Sequence, residues 1–292
     1  MTNTSREATR AAEELAGHLG GAVLGEVLRV SEKSLLAHGQ YHGQPVVIKA
    51  LRTGEEFWRT KFDHEIRLYQ AFTEHPPPVR VPELIHTDGQ RVLVIEHIPG
   101  RVVDNERYPE QALPATVVNT VLDTLTAFTR WSPPAGVLTP VFDYPDRIAR
   151  YHRAGFFDDT DHAALVDLLA DAGPVGQATH GDPLPANLLL TEHGGCVLLD
   201  FEFTGLFVPG FDLAMLHTLL ADTPGAQDRI EALVDEARIE APFLLNRVMV
   251  LSRELRLHTE LSDGELRARR LALLRPQWDT VRRRLHTRHT RR

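Results

Sequence analysis

The spacing of apolar residues changes character near residue 98. Before that point, short Val-, Ile- and Leu-rich runs lie between turn residues, the pattern of half-buried strands. After it, apolar residues recur every three or four positions over long stretches, the pattern of amphipathic helices. In detail, Ala11, Ala12, Leu15 and Leu19 predict a first helix over residues 6–19. Strands are predicted over 25–30, 34–38 and 46–50, the last two separated by the turn His42-Gly43-Gln44-Pro45. A helical pattern over 54–72, with Phe57, Ile66, Leu68 and Tyr69, is stopped by Pro76-Pro77-Pro78. Strands over 81–85 and 91–95 follow, and Glu96-His97-Ile98-Pro99-Gly100 reads as a linker. Helices are then predicted over 114–131, 144–153, 160–171, 210–221, 226–239, 242–259 and 264–286. They are interrupted between 178 and 205 by two short apolar runs around His193-Gly194-Gly195, which predict a hairpin with polar residues at its ends.

At roughly 150 residues per domain, the 292 residues suggest two domains or two lobes sharing one cleft. The change of pattern places one lobe over 1–98 and the other over 99–292. Apolar runs such as Val92-Leu93-Val94-Ile95 fall far short of the roughly 18 residues a spanning helix needs, so no membrane association is expected. The polar start, Met1 to Arg6, shows no secretory pattern. The single cysteine, Cys196, can form neither an internal disulfide nor a zinc cage, and fits a reducing cytoplasm and a small buried apolar role.

The net charge of −8 is unevenly distributed. From Arg267 onward there are ten arginines and one acid, Asp279, which leaves −17 on the rest of the chain. Residues 99–266 hold −15 of it, with 26 acids against 11 bases. Such a body repels a phosphate backbone, so nucleic acid is excluded as the main partner and a cationic ligand becomes plausible. The alternative is that the acids only solvate the surface. The arginine-rich end reads as a frayed, solvated terminus, with a contact to the acidic body or to a polyanion as the alternative. Lys33, Lys49 and Lys61 are the only lysines against 29 arginines, which singles each of them out.

The predicted hairpin supplies His180, Asp182, Asn187 and Asp200. An amide oxygen and a carboxylate from neighbouring strand ends form a small hard-oxygen site suited to Mg²⁺, whose shell substrate phosphates complete. Asp182, five residues before Asn187, lies close enough to hold a reacting hydroxyl beside that metal. Lys49 ends an apolar strand and can reach phosphate oxygens, while Glu65 on the following helix can fix its rotamer by ion pairing. Cationic clamp, metal pair and hydroxyl-positioning carboxylate are the recurring parts of phosphoryl transfer.

The spacing His180-Gly181-Asp182-x4-Asn187, then Leu199-Asp200-Phe201-Glu202, then Pro209-x-x-Asp212-Leu213-Ala214, resembles the aminoglycoside phosphotransferase and choline kinase superfamily. Upstream, Val47-Ile48-Lys49 resembles the family's lysine strand, His64-Glu65-Ile66 its helix glutamate, and Val94 to Gly100 its hinge, so the likeness covers roughly residues 20 to 220. It implies an α+β, protein-kinase-like two-lobed fold, with a small β-sheet N-lobe carrying one main helix and a larger, mostly helical C-lobe. It also implies Asp182 as catalytic aspartate, Asn187 and Asp200 as Mg²⁺ ligands, and Lys49, held by Glu65, on the α/β-phosphates of ATP or GTP. The Glu96 carbonyl and Ile98 amide would bind the adenine edge, with Ile95 behind it. His180 and Asp212 would support the catalytic loop. The turn Ser31-Glu32-Lys33-Ser34 would cover the phosphates, with Ser31 and Ser34 contacting them, although it has no glycine.

Several features also have plainer readings. His-Gly-Asp could be an ordinary turn, or His180 and Asp182 could ligate metal in a hydrolase. Asp158, Asp159 and Asp161 suit an N-cap, or else a socket for substrate amines helped by Glu202 or by acids such as Glu254. The expectation is a cytoplasmic small-molecule kinase acting on a cationic acceptor, an aminoglycoside or other basic antibiotic, and so conferring resistance by O-phosphorylation. A metabolic kinase for choline, homoserine, a sugar or a fructosamine is the alternative. A silent pseudokinase is the alternative of another class. A protein kinase fits less well, because nothing after Asp200 resembles an activation loop.

Overall fold

The computed structural model describes Leu15 and residues 17–291. The helix expected over 6–19 falls almost wholly outside them. The chain divides into two compact units. The first contains the chain up to Arg101 together with Trp131–Val137 and Leu189–Phe203, and the second contains Val102–Arg130, Leu138–Leu188 and Thr204–Arg292. The fold is the α+β arrangement expected, an antiparallel sheet with one main helix followed by a mostly helical region.

In the first unit, β1 (Ala22–Val30), β2 (Ser34–Tyr41), β3 (Gln44–Leu51), β4 (Leu84–Thr87) and β5 (Val92–Glu96) form one sheet in the order β1-β2-β3-β5-β4. Every pairing in it is antiparallel. Strand alternation puts Val46, Ile48 and Ala50 of β3 into a core with Val92 and Val94, and Lys49 therefore points to the other face. The strand expected at 81–85 begins only at Leu84, because Pro82 has no amide for a ladder. Helix α1 (Glu56–Glu74) buries Phe62, Ile66, Leu68, Tyr69 and Phe72, and also buries Glu65. Tyr69 and Phe72 pack edge-on against Phe201, and Trp131 closes this aromatic group, its indole N–H donating to the His75 carbonyl at 2.9 Å.

A short strand β6 (Arg101–Val102) leads into the second unit, whose helices are α2 (Ala115–Phe128), α3 (Tyr144–Arg153), α4 (Asp159–Asp171), α5 (Phe211–Leu219), α6 (Ala226–Ala237), α7 (Glu240–Thr259) and α8 (Glu265–Thr290). Strand β7 (Gln177–Thr179) pairs antiparallel with β10 (Gly205–Phe207). In the chain between these two strands comes the expected hairpin, β8 (Leu188–Leu190) and β9 (Cys196–Leu198), which from Leu189 onward belongs to the first unit and in which Cys196 is buried. Fully buried Asn246 on α7 accepts from the Tyr144 hydroxyl at 2.7 Å and donates to the carbonyls of Val208 and Pro209, fixing the segment that enters α5.

The arginine-rich end is not frayed and follows the alternative reading, a contact with acids of the body. It is helical through Thr290 and packs on α4 through ion pairs, Arg282 with Asp158 and Asp161, His286 with Asp161, Arg288 with Asp171 and His289 with Asp167. The acids of α4 offset the arginine repulsion that a solvated end would suffer. Among the described residues no helix is long and apolar enough to cross a membrane.

Candidate active site

In the first unit, β3 carries Lys49 between Leu36 of β2 and Leu93 of β5. Its ammonium donates to Glu65 Oε2 at 2.6 Å and to Asp200 Oδ1 at 2.8 Å, and lies 3.8 Å from Glu202 Oε2. Glu65 uses its other oxygen to accept from the Phe201 amide at 3.2 Å. Phe201 is fully buried in the aromatic group, which leaves Asp200 and Glu202, one residue to either side, to face the lysine. Asp200 achieves this in a left-handed conformation, φ 63°, that costs any residue with a Cβ. Strain of that kind is retained where geometry matters more than stability.

Oxygens of Glu65, Asp200 and Glu202 come within 4.8 Å of one another. Burial alone would lower the Lys49 pKa, but Asp200, Glu65 and Glu202 outweigh it and hold the ammonium well above its ordinary range. Burial raises Glu65 to about 7, Lys49 opposes the shift, and the neighbouring acids add to it. The cluster thus gathers three carboxylates, and so several hard oxygens, close to one another. That is the donor set of a divalent cation such as Mg²⁺, and the residues present fit one.

All three lysines of the chain gather around residues 200–203. Lys33, from the turn between β1 and β2, donates to Glu202 Oε1 at 2.6 Å and lies 4.5 Å from the Trp58 ring centre. Lys61 of α1 lies 4.6 Å from the Phe203 ring centre, and burial lowers its pKa against the pull of Glu202. Glu202, expected to help an amine socket, instead belongs to this lysine cluster. Its place two residues from Asp200, on the same loop, was the available signal. In the Ser31–Ser34 turn, the Ser31 hydroxyl accepts from the Ser34 amide at 3.0 Å and donates to the Ser34 carbonyl at 3.1 Å. That hydroxyl therefore shapes the turn. Glu96 ends β5, its carboxylate gripped by both Arg80 and the Glu83 amide, and half-buried Ile98 follows in irregular chain.

In the second unit, Gly181 has φ 83°, a value glycine adopts without strain. The Asp212 carboxylate accepts from the amides of His180 and Gly181, both at 2.9 Å, and the Thr204 hydroxyl donates to the His180 carbonyl at 2.9 Å. Burial raises the Asp212 pKa to about 6, against the pull of His180 and the two amides. The Asp182 amide donates to fully buried His180 at 3.3 Å. A single 3-10 turn (Pro185–Asn187) returns Asn187 to the loop, where its Nδ2 donates to the Asp182 carbonyl at 2.9 Å and approaches Asp182 Oδ2 at 3.5 Å. Asp182 and Asn187 are thus neighbours, as Lys49 and Asp200 are.

The acids proposed from sequence as an amine socket are otherwise engaged. Asp158 and Asp161 form a reciprocal capping box at the start of α4, and both accept from Arg282. Exposed Asp159 lies 2.9 Å from His152. Glu254 on α7 is fully buried and paired with Arg107, with the Tyr108 hydroxyl donating to it at 2.8 Å. Sequence reasoning passed over Arg107. Burial lowers its pKa, but Glu254 and then Asp182 outweigh that and raise it. A guanidinium thus stands within electrostatic reach of Asp182.

Residues 41–247 match the model of the phosphotransferase enzyme family. The sequence matches none of the curated proteins. Among solved structures, aminoglycoside phosphotransferase APH(4)-Ia is 16% identical with a TM-score of 0.64, covering 97% of this chain and 99% of its own. A thermostable mutant of it has been solved as a ternary complex with AMP-PNP and hygromycin B. Macrolide 2'-phosphotransferase type I is 14% identical with a TM-score of 0.61, covering 94% and 98%. Choline kinase LicA from Streptococcus pneumoniae is 13% identical with a TM-score of 0.61, covering 94% and 99%. At these identities the likeness establishes the fold.

Proposed function

The chain belongs to the phosphotransferase enzyme family and acts on hydroxyl groups, and we propose that it moves the γ-phosphate of ATP or GTP onto a hydroxyl of a cationic small molecule. The observation that carries the kinase chemistry is Lys49, held by buried Glu65 at 2.6 Å and Asp200 at 2.8 Å. Lys49 meets the α/β-phosphates with its rotamer fixed by Glu65. By the family likeness Asn187 and Asp200 would hold Mg²⁺, which would supply neutralisation of the charge on the transferred group. Asp182 takes or orients the proton of the acceptor hydroxyl, on a loop fixed by His180 and Asp212. The Glu96 carbonyl and Ile98 amide receive the adenine edge. Amides of the Ser31–Ser34 turn, with the Ser34 side chain, approach the phosphates. Little covalent chemistry is asked of these groups, so the rate comes from positioning and charge neutralisation.

Two facts support a cationic acceptor. Residues 99–266 carry a charge of −15, and the structural neighbours include kinases of aminoglycosides and of choline, a quaternary ammonium alcohol. An aminoglycoside or other basic antibiotic fits first, with resistance by O-phosphorylation as the role. The choline kinase neighbour, at nearly the same TM-score, favours an amino alcohol as the second reading. Incubation with Mg·ATP and a panel of aminoglycosides, tuberactinomycin peptides, macrolides and choline tests both. Turnover of an amine-bearing member is expected, and turnover confined to neutral or anionic acceptors discards the cationic reading.

A further inference from the structure

Lys33, in the turn between β1 and β2, is a cation that the roles assigned above to phosphoryl transfer leave unused. Its ammonium donates to Glu202 Oε1 at 2.6 Å and lies 4.5 Å from the Trp58 ring centre, with 31% of the side chain still exposed. The other oxygen of Glu202 lies 3.8 Å from the Lys49 ammonium, so two lysines share one carboxylate. The turn itself is braced. The Ser31 amide and hydroxyl both donate to the Ser34 carbonyl, at 2.9 and 3.1 Å, and the Ser34 amide donates to the Ser31 hydroxyl at 3.0 Å. Behind the turn, the Arg52 amide donates to the Lys33 carbonyl at 2.8 Å and the Arg52 guanidinium to the Ser31 carbonyl at 3.1 Å. Two amides of the turn are thus spent within it, and without a glycine each residue carries a Cβ that holds the backbone off a ligand. Such a turn reaches a phosphate furthest with a long side chain, and the flexible stem of Lys33 is one.

The register of β3 sets the direction of that reach. Val46 pairs with Glu96, the end of β5 proposed to receive the adenine edge, and Lys49 pairs with Leu93. Arg52, just past the end of β3, bonds to Lys33. Each step is three residues, roughly 10 Å of strand. The order adenine edge, Lys49, Lys33 therefore follows a nucleotide from base to α/β-phosphates to last phosphate. The resting pair is also easily exchanged. A terminal phosphate carries up to about two negative charges on three oxygens, against one charge on the carboxylate. Glu202 keeps Lys49 beside it when Lys33 leaves, so no buried charge is stranded. We propose, on the premise that the chain is a nucleotide-dependent kinase, that Lys33 recognises the terminal phosphate: its ammonium passes from Glu202 and Trp58 to that phosphate when a triphosphate binds, and stays in place with a diphosphate.

Two readouts on the full chain, at constant Mg²⁺, test this. In calorimetry, Lys33→Met should weaken AMP-PNP binding roughly tenfold and leave ADP binding within about twofold, because only the triphosphate analogue loses a charged hydrogen bond. In fluorescence, AMP-PNP should change tryptophan emission of the wild type as the ammonium departs from the indole, and ADP should not. Trp58→Phe should remove that change, which assigns it among the three tryptophans. The wild-type comparison decides the matter if Lys33→Met does not fold. Equal weakening of both nucleotides or of neither, a fluorescence change that ADP also produces, or one that survives in Lys33→Met overturns the proposal. A wild-type chain that binds neither nucleotide overturns the kinase reading itself, and the proposal with it.

Discussion

Two clusters of acids, both singled out by sequence, turn out to be held in opposite ways. At the start of α4, Asp158 and Asp161 satisfy amides of their own helix and the cations of α8. Around Lys49, Glu65, Asp200 and Glu202 crowd together, burial lifts the Glu65 pKa to about 7, and Asp200 adopts a strained backbone to be there. The first arrangement lowers the energy of the fold. The second raises it and is useful only if something cationic or phosphorylated arrives. An acidic cluster is therefore diagnostic of chemistry when its carboxylates are not already answering the needs of a helix end.

The largest effect that follows concerns the loop acid beside Asn187. Asp182→Ala should lower kcat by roughly 10²–10⁴-fold, the usual worth of a positioned proton acceptor, with nucleotide affinity nearly unchanged. Full turnover in that variant removes Asp182 from the reaction. Next in size, Asp200→Ala should weaken Mg²⁺-dependent nucleotide binding by at least about tenfold while leaving metal-free binding nearly unaltered. Calorimetry with and without Mg²⁺ separates the two, and equal losses in both conditions break the contrast drawn above.

Asp212 lies between the extremes, being buried like the lysine cluster yet committed to backbone amides like the α4 cap. Its pKa, raised from 3.8 to about 6, means that the folded chain binds more protons than the unfolded one across that interval. The stability contributed by this group therefore falls as pH climbs through the window and is level above it. Relative to Asp212→Asn, the wild type should lose on the order of 2 kcal/mol of its advantage between about pH 4.5 and 7, read from urea unfolding at both values. A constant difference between the two proteins, or a growing one, contradicts the burial argument.

Much of this was legible in the sequence because the relevant signals are local. Val46, Ile48 and Ala50 alternate with Lys49 and so fix which face the lysine takes, and the order of His180, Asp182, Asn187 and Asp200 follows from one hairpin. The capping role of Asp158 and Asp161 was readable too, since they are spaced as Ncap and N3. What could not be read were pairings between distant segments. Lys33 meets Glu202 across 169 residues, and Arg282 meets Asp161 across 121. Charge counts gave both signs but not their assignment, so contact of the arginine-rich helix with acids of the body stood only as the alternative to a frayed tail, and α4 was not named as its partner.

The smallest effect is the most discriminating. Asp161 is 1% exposed and accepts from Arg282 at 2.8 Å and from His286 at 2.7 Å. If its work is to hold α8 on α4, Asp161→Asn should cost about 1–2 kcal/mol of stability, the worth of charged hydrogen bonds traded for neutral ones. At a temperature where the variant remains folded, its KM for a cationic acceptor should match the wild type within about twofold. Were Asp161 instead part of an amine socket, the same substitution would raise KM tenfold or more, because a buried carboxylate would no longer meet the substrate's ammonium. Urea unfolding and steady-state kinetics on the one variant therefore tell an acid engaged in folding from one reserved for substrate. A rise in KM without loss of stability would place the α4 acids with the lysine cluster and end the distinction between them.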